Sequence, residues 1–195
     1  MPLDIRPLSR AELAAHIDDV AQLRIDVFRA WPYLYDGDLD YERDYLGPCL
    51  KSDKAIVVGA FDGSRLMGAS TGMPLTDHAD DFAAAFSDTG LNLAEIFYCA
   101  ESVLLPQYRG QGAGHAFFDA RETHAKDLGY HRSCFCGVVR AKDHPARPAD
   151  HAPLDPFWRK RGYAPLDGVT ARFSWKDVGA SVETAKTLQF WMRDL

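Results

Sequence analysis

The chain has 195 residues, 47% hydrophobic and 26% charged, with a formal net charge of -6, the range in which one compact domain over residues 1–195 is expected and two would be cramped. That acidic balance argues against a nucleic-acid partner, which would need clustered Lys and Arg to displace phosphate counterions. With no apolar stretch of roughly 18 residues, no signal-peptide pattern in MPLDIRPLSR and four irregularly spaced cysteines, the expectation is a cytoplasmic protein with no membrane partner and no disulfide framework.

Leu3 to Pro7 predicts a short first strand. Ala11 to Arg29 places Leu13, Val20, Leu23 and Val27 at helical spacing behind Ser9 as N-cap, and a second helix follows over Asp40 to Leu46. Lys54 to Phe61 and Leu66 to Gly72 are apolar runs joined by Asp62-Gly63-Ser64, a hairpin signal because glycine readily takes positive φ. A short helix near Asp81 to Phe86 precedes the apolar run Ile96 to Leu105, predicted as one central strand stopped by Pro106. A helix from Gly112 to Leu128, ended by Gly129, leads into a strand over Ser133 to Val139. After a loop with Pro145, Pro148 and Pro153 come a short helix near Pro156 to Arg161 and strands near Thr170 to Trp175 and Thr187 to Met192. Helices interleaved with strands, with one hairpin, predict a single α/β domain built on a mixed sheet.

The chemistry concentrates after the central strand, where Arg109-Gly110-Gln111-Gly112-Ala113-Gly114 turns the chain and a helix begins inside the glycine run. Glycines let the backbone approach a ligand, and the free N–H groups of the first helical turn favour an anion such as a pyrophosphate. Position 115 is His, so the third glycine of the dinucleotide fingerprint is missing, and no Gly-Lys-Ser/Thr ending exists.

The turn instead resembles motif A of the GNAT superfamily of N-acetyltransferases, Gln/Arg-x-x-Gly-x-Gly/Ala, met by Arg109, Gly112 and Gly114. The strand Glu101-Ser-Val-Leu-Leu-Pro before it and Phe157-Trp-Arg-Lys-Arg-Gly-Tyr163 after it are similar to that superfamily's neighbouring segments, so the resemblance spans Ile56 to Tyr163. It implies a central mixed sheet of about six to seven strands flanked by helices, and acetyl-CoA as acyl donor, with no metal. It further implies that the backbone of Val103, Leu104 and Leu105 pairs with the pantetheine arm. The N–H groups of Gly110, Gln111, Gly112, Ala113 and Gly114 would hold the pyrophosphate, with Arg109 and His115 beside it. Superfamily members are often homodimers.

Acyl transfer to an amine needs a base, a stabilised oxyanion and a proton donor for the thiolate. Glu101, just before the cofactor-pairing stretch, is where the resemblance implies a base; a structural ion pair with an arginine is its alternative, and Glu95 and Asp36 compete. The oxyanion would be met by a main-chain N–H near Val103 or Leu104. The tyrosine that the superfamily uses as acid falls at Trp158, and its usual Asn is missing near Arg140, Asp143 and His144. Tyr163 is the nearest phenol in the same segment, with core packing as its alternative.

For the acceptor, Trp31, Tyr33, Tyr35 and Asp36 lie between the first two predicted helices, the region the superfamily uses as a pocket wall. Aromatics with carboxylates suit a cation, although a solvated acidic loop has the same composition. A small cationic primary amine is therefore the expected acceptor. An acyl-CoA sensor with weak or no catalysis and a protein N-acetyltransferase are the alternatives. Cys134-x-Cys136 lacks a second pair, and the seven histidines show no metal-ligand spacing.

Overall fold

The computed structural model describes residues 3–195, less the side chains of residues 79–81 and 83. Strand β1 (Asp4–Pro7) leads to helix α1 (Arg10–Ala15), where Ser9 and Glu12 cap each other's backbone reciprocally, as the sequence suggested for Ser9. The single helix expected over Ala11 to Arg29 is instead two, α1 and α2 (Ile17–Phe28), with His16 at φ -108, ψ 12 between them. The break tilts the apolar faces of both onto the sheet, burying Leu13, Val20 and Leu23. Helix α3 (Leu39–Lys51) runs longer than predicted and is N-capped by Asp38.

The hairpin of β2 (Ile56–Asp62) and β3 (Arg65–Pro74) turns at Gly63, whose φ of 60 only glycine adopts without strain. After α4 (Ala79–Phe86) come β4 (Ile96–Tyr98), β5 (Ser102–Leu104), α5 (Ala113–Asp127), β6 (Arg132–Val138), α6 (Asp155–Lys160), β7 (Ala164–Lys176) and β8 (Glu183–Asp194). The sheet runs β1-β2-β3-β4-β6-β8-β7, with β5 also paired to β3. All pairs are antiparallel except β4 with β6, joined through α5. Alternation along the strands divides the core between two faces. Val57, Ala69 and Val103 pack against α1 to α3, and Cys134, Phe190 and Met192 against Phe82 and Phe86 of α4. Val58, Phe97, Phe135 and Trp191 meet α5 and α6 on the other face.

One expectation fails in a way that builds the site. Ile96 to Leu105 is not one strand. Ala100 N–H donates to Thr71 O (3.0 Å) and Thr71 N–H donates to Glu101 O (3.1 Å), so two residues oppose one in a β-bulge. Before the bulge, Cys99 N–H still donates to Cys134 O of β6 (2.8 Å). Beyond it, β5 pairs only with β3 and parts from β6. Arg121, buried on α5, fixes the irregularity: its guanidinium donates to Thr71 O (3.1 Å), Glu101 O (2.8 Å) and the Ser102 hydroxyl (2.9 Å).

Candidate active site

The gap between β5 and β6 opens into a cavity of about 570 Å³ that ends at the glycine turn. Leu104, Arg109, Gly110, Gly112, Ala113, Gly114 and His115 line it. Gly110 and Gly112 take φ of 78 and 86, and no atom lies within 4 Å of where a side chain would start. Gly112 caps α5 without any side-chain hydrogen bond. The helix's first internal bond here is Ala116 N–H to Gly112 O (3.2 Å), so the N–H groups of Ala113, Gly114 and His115 precede the ladder and are left for a ligand. Arg109 folds back to donate to Leu104 O (3.3 Å), and the His115 ring meets Arg161 (3.1 Å) and Phe157.

Three residues of the expected donor set stand elsewhere. Gln111 is exposed and is not part of the cavity wall. Val103 turns its polar backbone groups to β3 opposite Ala69, and Leu105 donates its N–H to Met67 O (3.1 Å) while its carbonyl accepts from Tyr108 N–H (3.0 Å). Because strand residues alternate, Ser102 and Leu104 carry the N–H and C=O groups that face the gap. The register, which depends on the bulge, decides this.

A second cavity of about 340 Å³ adjoins the first, with Glu101 in both walls. Its walls include Tyr33, Tyr35, Tyr45, Tyr98 and Trp175, with Asp36, Asp38 and Glu183 among the polar residues. Residues 34–36 dock on the end of β7: Val178 N–H donates to Leu34 O (2.7 Å) and Asp36 N–H to Lys176 O (2.9 Å). Asp36 is also bridged by Lys176 (3.0 Å) and Arg29 (3.2 Å), which hold its carboxyl below the usual range. This docking brings Tyr33, Tyr35 and Asp36 into the wall and leaves Trp31 out of it. The Trp31 ring lies instead beside His144 and His151 at 5.1 and 5.9 Å.

The cavities share Phe28, Tyr33, Ala100, Glu101 and Cys136. Glu101 sits in the bulge, buried, and its Oε2 meets Arg24 Nη1 at 2.9 Å while Oε1 has no hydrogen-bond partner. Arg24 is buried against the Tyr45 ring and also pairs with Glu42, so one guanidinium serves two carboxylates. The sequence missed Arg24, Glu42 and Arg121 as site residues. All three lie on helices, where a charged residue ordinarily reads as solvated.

Tyr163 is not brought to either cavity. It is core, its hydroxyl donating to Glu122 (3.0 Å) and accepting from the Ser133 hydroxyl (2.8 Å), and burial pushes its phenol far up. Trp158 lines the cavity that ends at the glycine turn, with its ring against Gly137. All four cysteines are free and buried, which pushes the Cys49 and Cys136 thiols up to about 12. Among the described residues no three His, Cys, Asp or Glu side chains are grouped to hold a metal, and no helix is long and apolar enough to cross a membrane.

A sheet split at a bulge, a gap closing on an anion-ready helix start and a second cavity meeting it at a carboxylate define an α/β fold for transfer between two ligands. The chain belongs to the acetyltransferase (GNAT) family, whose model matches residues 17–149, and is accordingly an acyltransferase. Among solved structures it is similar to a ribosomal-protein-alanine N-acetyltransferase from Brucella melitensis (16% identity, TM-score 0.61, 99% of this chain and 100% of that one). A phosphinothricin acetyltransferase from Sinorhizobium meliloti, in complex with acetyl-CoA, is similar at 14% identity and a TM-score of 0.59 (100% and 89% covered). An acetyltransferase structure from Salmonella typhimurium with its cofactor acetyl-CoA gives 12% and 0.59 (100% and 95%). No curated protein sequence matches the chain.

Proposed function

We propose that the chain transfers an acetyl group from acetyl-CoA to the primary amine of a small cationic acceptor, by direct attack while both substrates are bound. The observation that carries this is the meeting of the two cavities at Glu101. Acetyl-CoA, with which two of the similar structures were solved, supplies the acyl group as an activated thioester. On this chain the N–H groups of Ala113, Gly114 and His115 fit its pyrophosphate, and the outward backbone of Ser102 fits a pantetheine amide. Leu104 N–H is the donor best placed for an oxyanion in the gap.

The acceptor takes the second cavity. A cavity of about 340 Å³ is at the small end for a ligand site, which favours a small amine over a protein N-terminus. An aromatic wall that includes Tyr35 and Tyr98, with the carboxylates of Asp38 and Glu183, suits its positive charge. Glu101 takes the proton that the amine must lose before attack, through the oxygen that Arg24 leaves unpaired.

The test is thiol release from acetyl-CoA across primary amines such as 2-phenylethylamine and pentane-1,5-diamine. Glu101→Gln should lower kcat/KM for the amine by about 10²-fold, the ordinary worth of a general base, with acetyl-CoA affinity retained. Acetyl-CoA binding without amine-dependent thiol release would instead make the chain a sensor.

A further inference from the structure

We propose that the Tyr33 phenol is the proton donor to the departing thiol of the donor. This rests on the assignment of the two cavities to acetyl-CoA and an amine. Tyr33 is the one residue bearing a phenol among the five that the cavities share. Cys136, which also lies there, has its thiol engaged with the Tyr98 hydroxyl at 3.3 Å.

The position of the Tyr33 ring is built by α2 and β7 together. It packs on Phe28 at 4.4 Å and stacks on Trp175 at 5.9 Å. Its carbonyl accepts from Trp175 Nε1 (3.1 Å) and from Arg140 (2.6 Å), which also binds Pro32 O (2.9 Å) and is itself held by both oxygens of Asp177 (2.9 and 3.0 Å). The ring thus reaches the edge of β6 that faces the gap. Val139 N–H donates to Thr187 O on β8, so by alternation Val138 N–H points into the gap, where it meets the Tyr33 oxygen. The phenolic proton itself has no acceptor among the described residues. Burial pushes the phenol up, so the proton is present throughout the working range.

The step balances as follows. The amine nitrogen bonds to the acetyl carbon, the carbon–sulfur bond breaks, and sulfur leaves with the electron pair and takes the Tyr33 proton. The phenolate recovers a proton from solvent or from the one that Glu101 took from the amine.

Tyr33→Phe keeps the ring and removes only the donor. Thiol release is measured with 2-phenylethylamine and with hydroxylamine, a nucleophile that is already neutral at about pH 7 and needs no base. Tyr33→Phe should lower kcat about 10²-fold with both, with both KM values and the melting temperature near wild type. Glu101→Gln should be hurt far more with the amine than with hydroxylamine. Arg140→Lys, which loses the planar fork but not the phenol, should lower kcat by a smaller factor. A Tyr33→Phe enzyme with wild-type kcat overturns the proposal; if that variant does not fold, an Arg140→Lys enzyme with wild-type kcat does so. Wild-type protein that fails to bind acetyl-CoA overturns this proposal and the assignment beneath it. Full kcat in Tyr33→Phe overturns this proposal alone.

Discussion

Glu101 faces two ways because it is the second residue of a bulge, and a bulge leaves no trace in hydropathy: Ile96 to Leu105 is as apolar as an unbroken strand. Its candidacy was legible from its place before the cofactor-pairing stretch. Its partner was not, since Arg24 is buried only by carboxylates that α3 and the bulge bring to it. Tyr163 failed for a related reason, because a phenol in the right segment gives no sign that Glu122 and Ser133 will claim its hydroxyl. Local polar pairs are more readable. Ser9 and Glu12 have the spacing of a capping box, and the Ser9 N–H and hydroxyl with Arg6 hold the Glu12 carboxyl at about 2, against 4.5 ordinarily. Because the folded value lies below the unfolded one, this contribution is complete above about pH 4.5 and is lost as pH falls through about 2. Urea denaturation of Glu12→Gln should therefore show a shallower loss of stability between about pH 5 and pH 2 than wild type. Equal losses would mean that the cap does not couple to folding.

At the scale of elements, the sequence was a good guide to the hairpin, the α5 start and, the split central strand aside, the chain order of helices and strands, because glycine and proline punctuation is local chemistry. It shortened β7 and β8, whose exposed polar positions read as loop although they pair with each other from Ala164–Met192 to Lys176–Glu183. It also assigned the backbone of Val103 and Leu105 to the donor, since which residues face outward depends on register. The turn itself carries a prediction. Gly112→Glu places a side chain at φ 86, which costs about 1 kcal/mol for any L-residue, and adds a carboxylate where the α5 N–H groups await an anion. Acetyl-CoA should bind at least about tenfold more weakly by calorimetry, equivalent to about 1.4 kcal/mol, while the melting temperature falls little. Unchanged affinity would remove the pyrophosphate from this turn.

For the molecule as a whole, the α/β class and the donor side were readable because one short turn specifies them. The acceptor side was half readable: the aromatics and carboxylates after α2 are visible in the sequence, but docking on the end of β7 selects Tyr33, Tyr35 and Asp36 for the wall and turns Trp31 toward His144 and His151. In the proposed reaction the two cavities that meet at a carboxylate would put donor and acceptor in contact without any acylated side chain between them, and the buried Cys136 thiol, pushed up to about 12, is a poor covalent relay. The decisive measurement is the initial rate of thiol release with acetyl-CoA and the amine varied together. Direct transfer predicts double-reciprocal lines that intersect, with acetylated amine formed in step with free thiol; parallel lines, or thiol release independent of the amine, would contradict it.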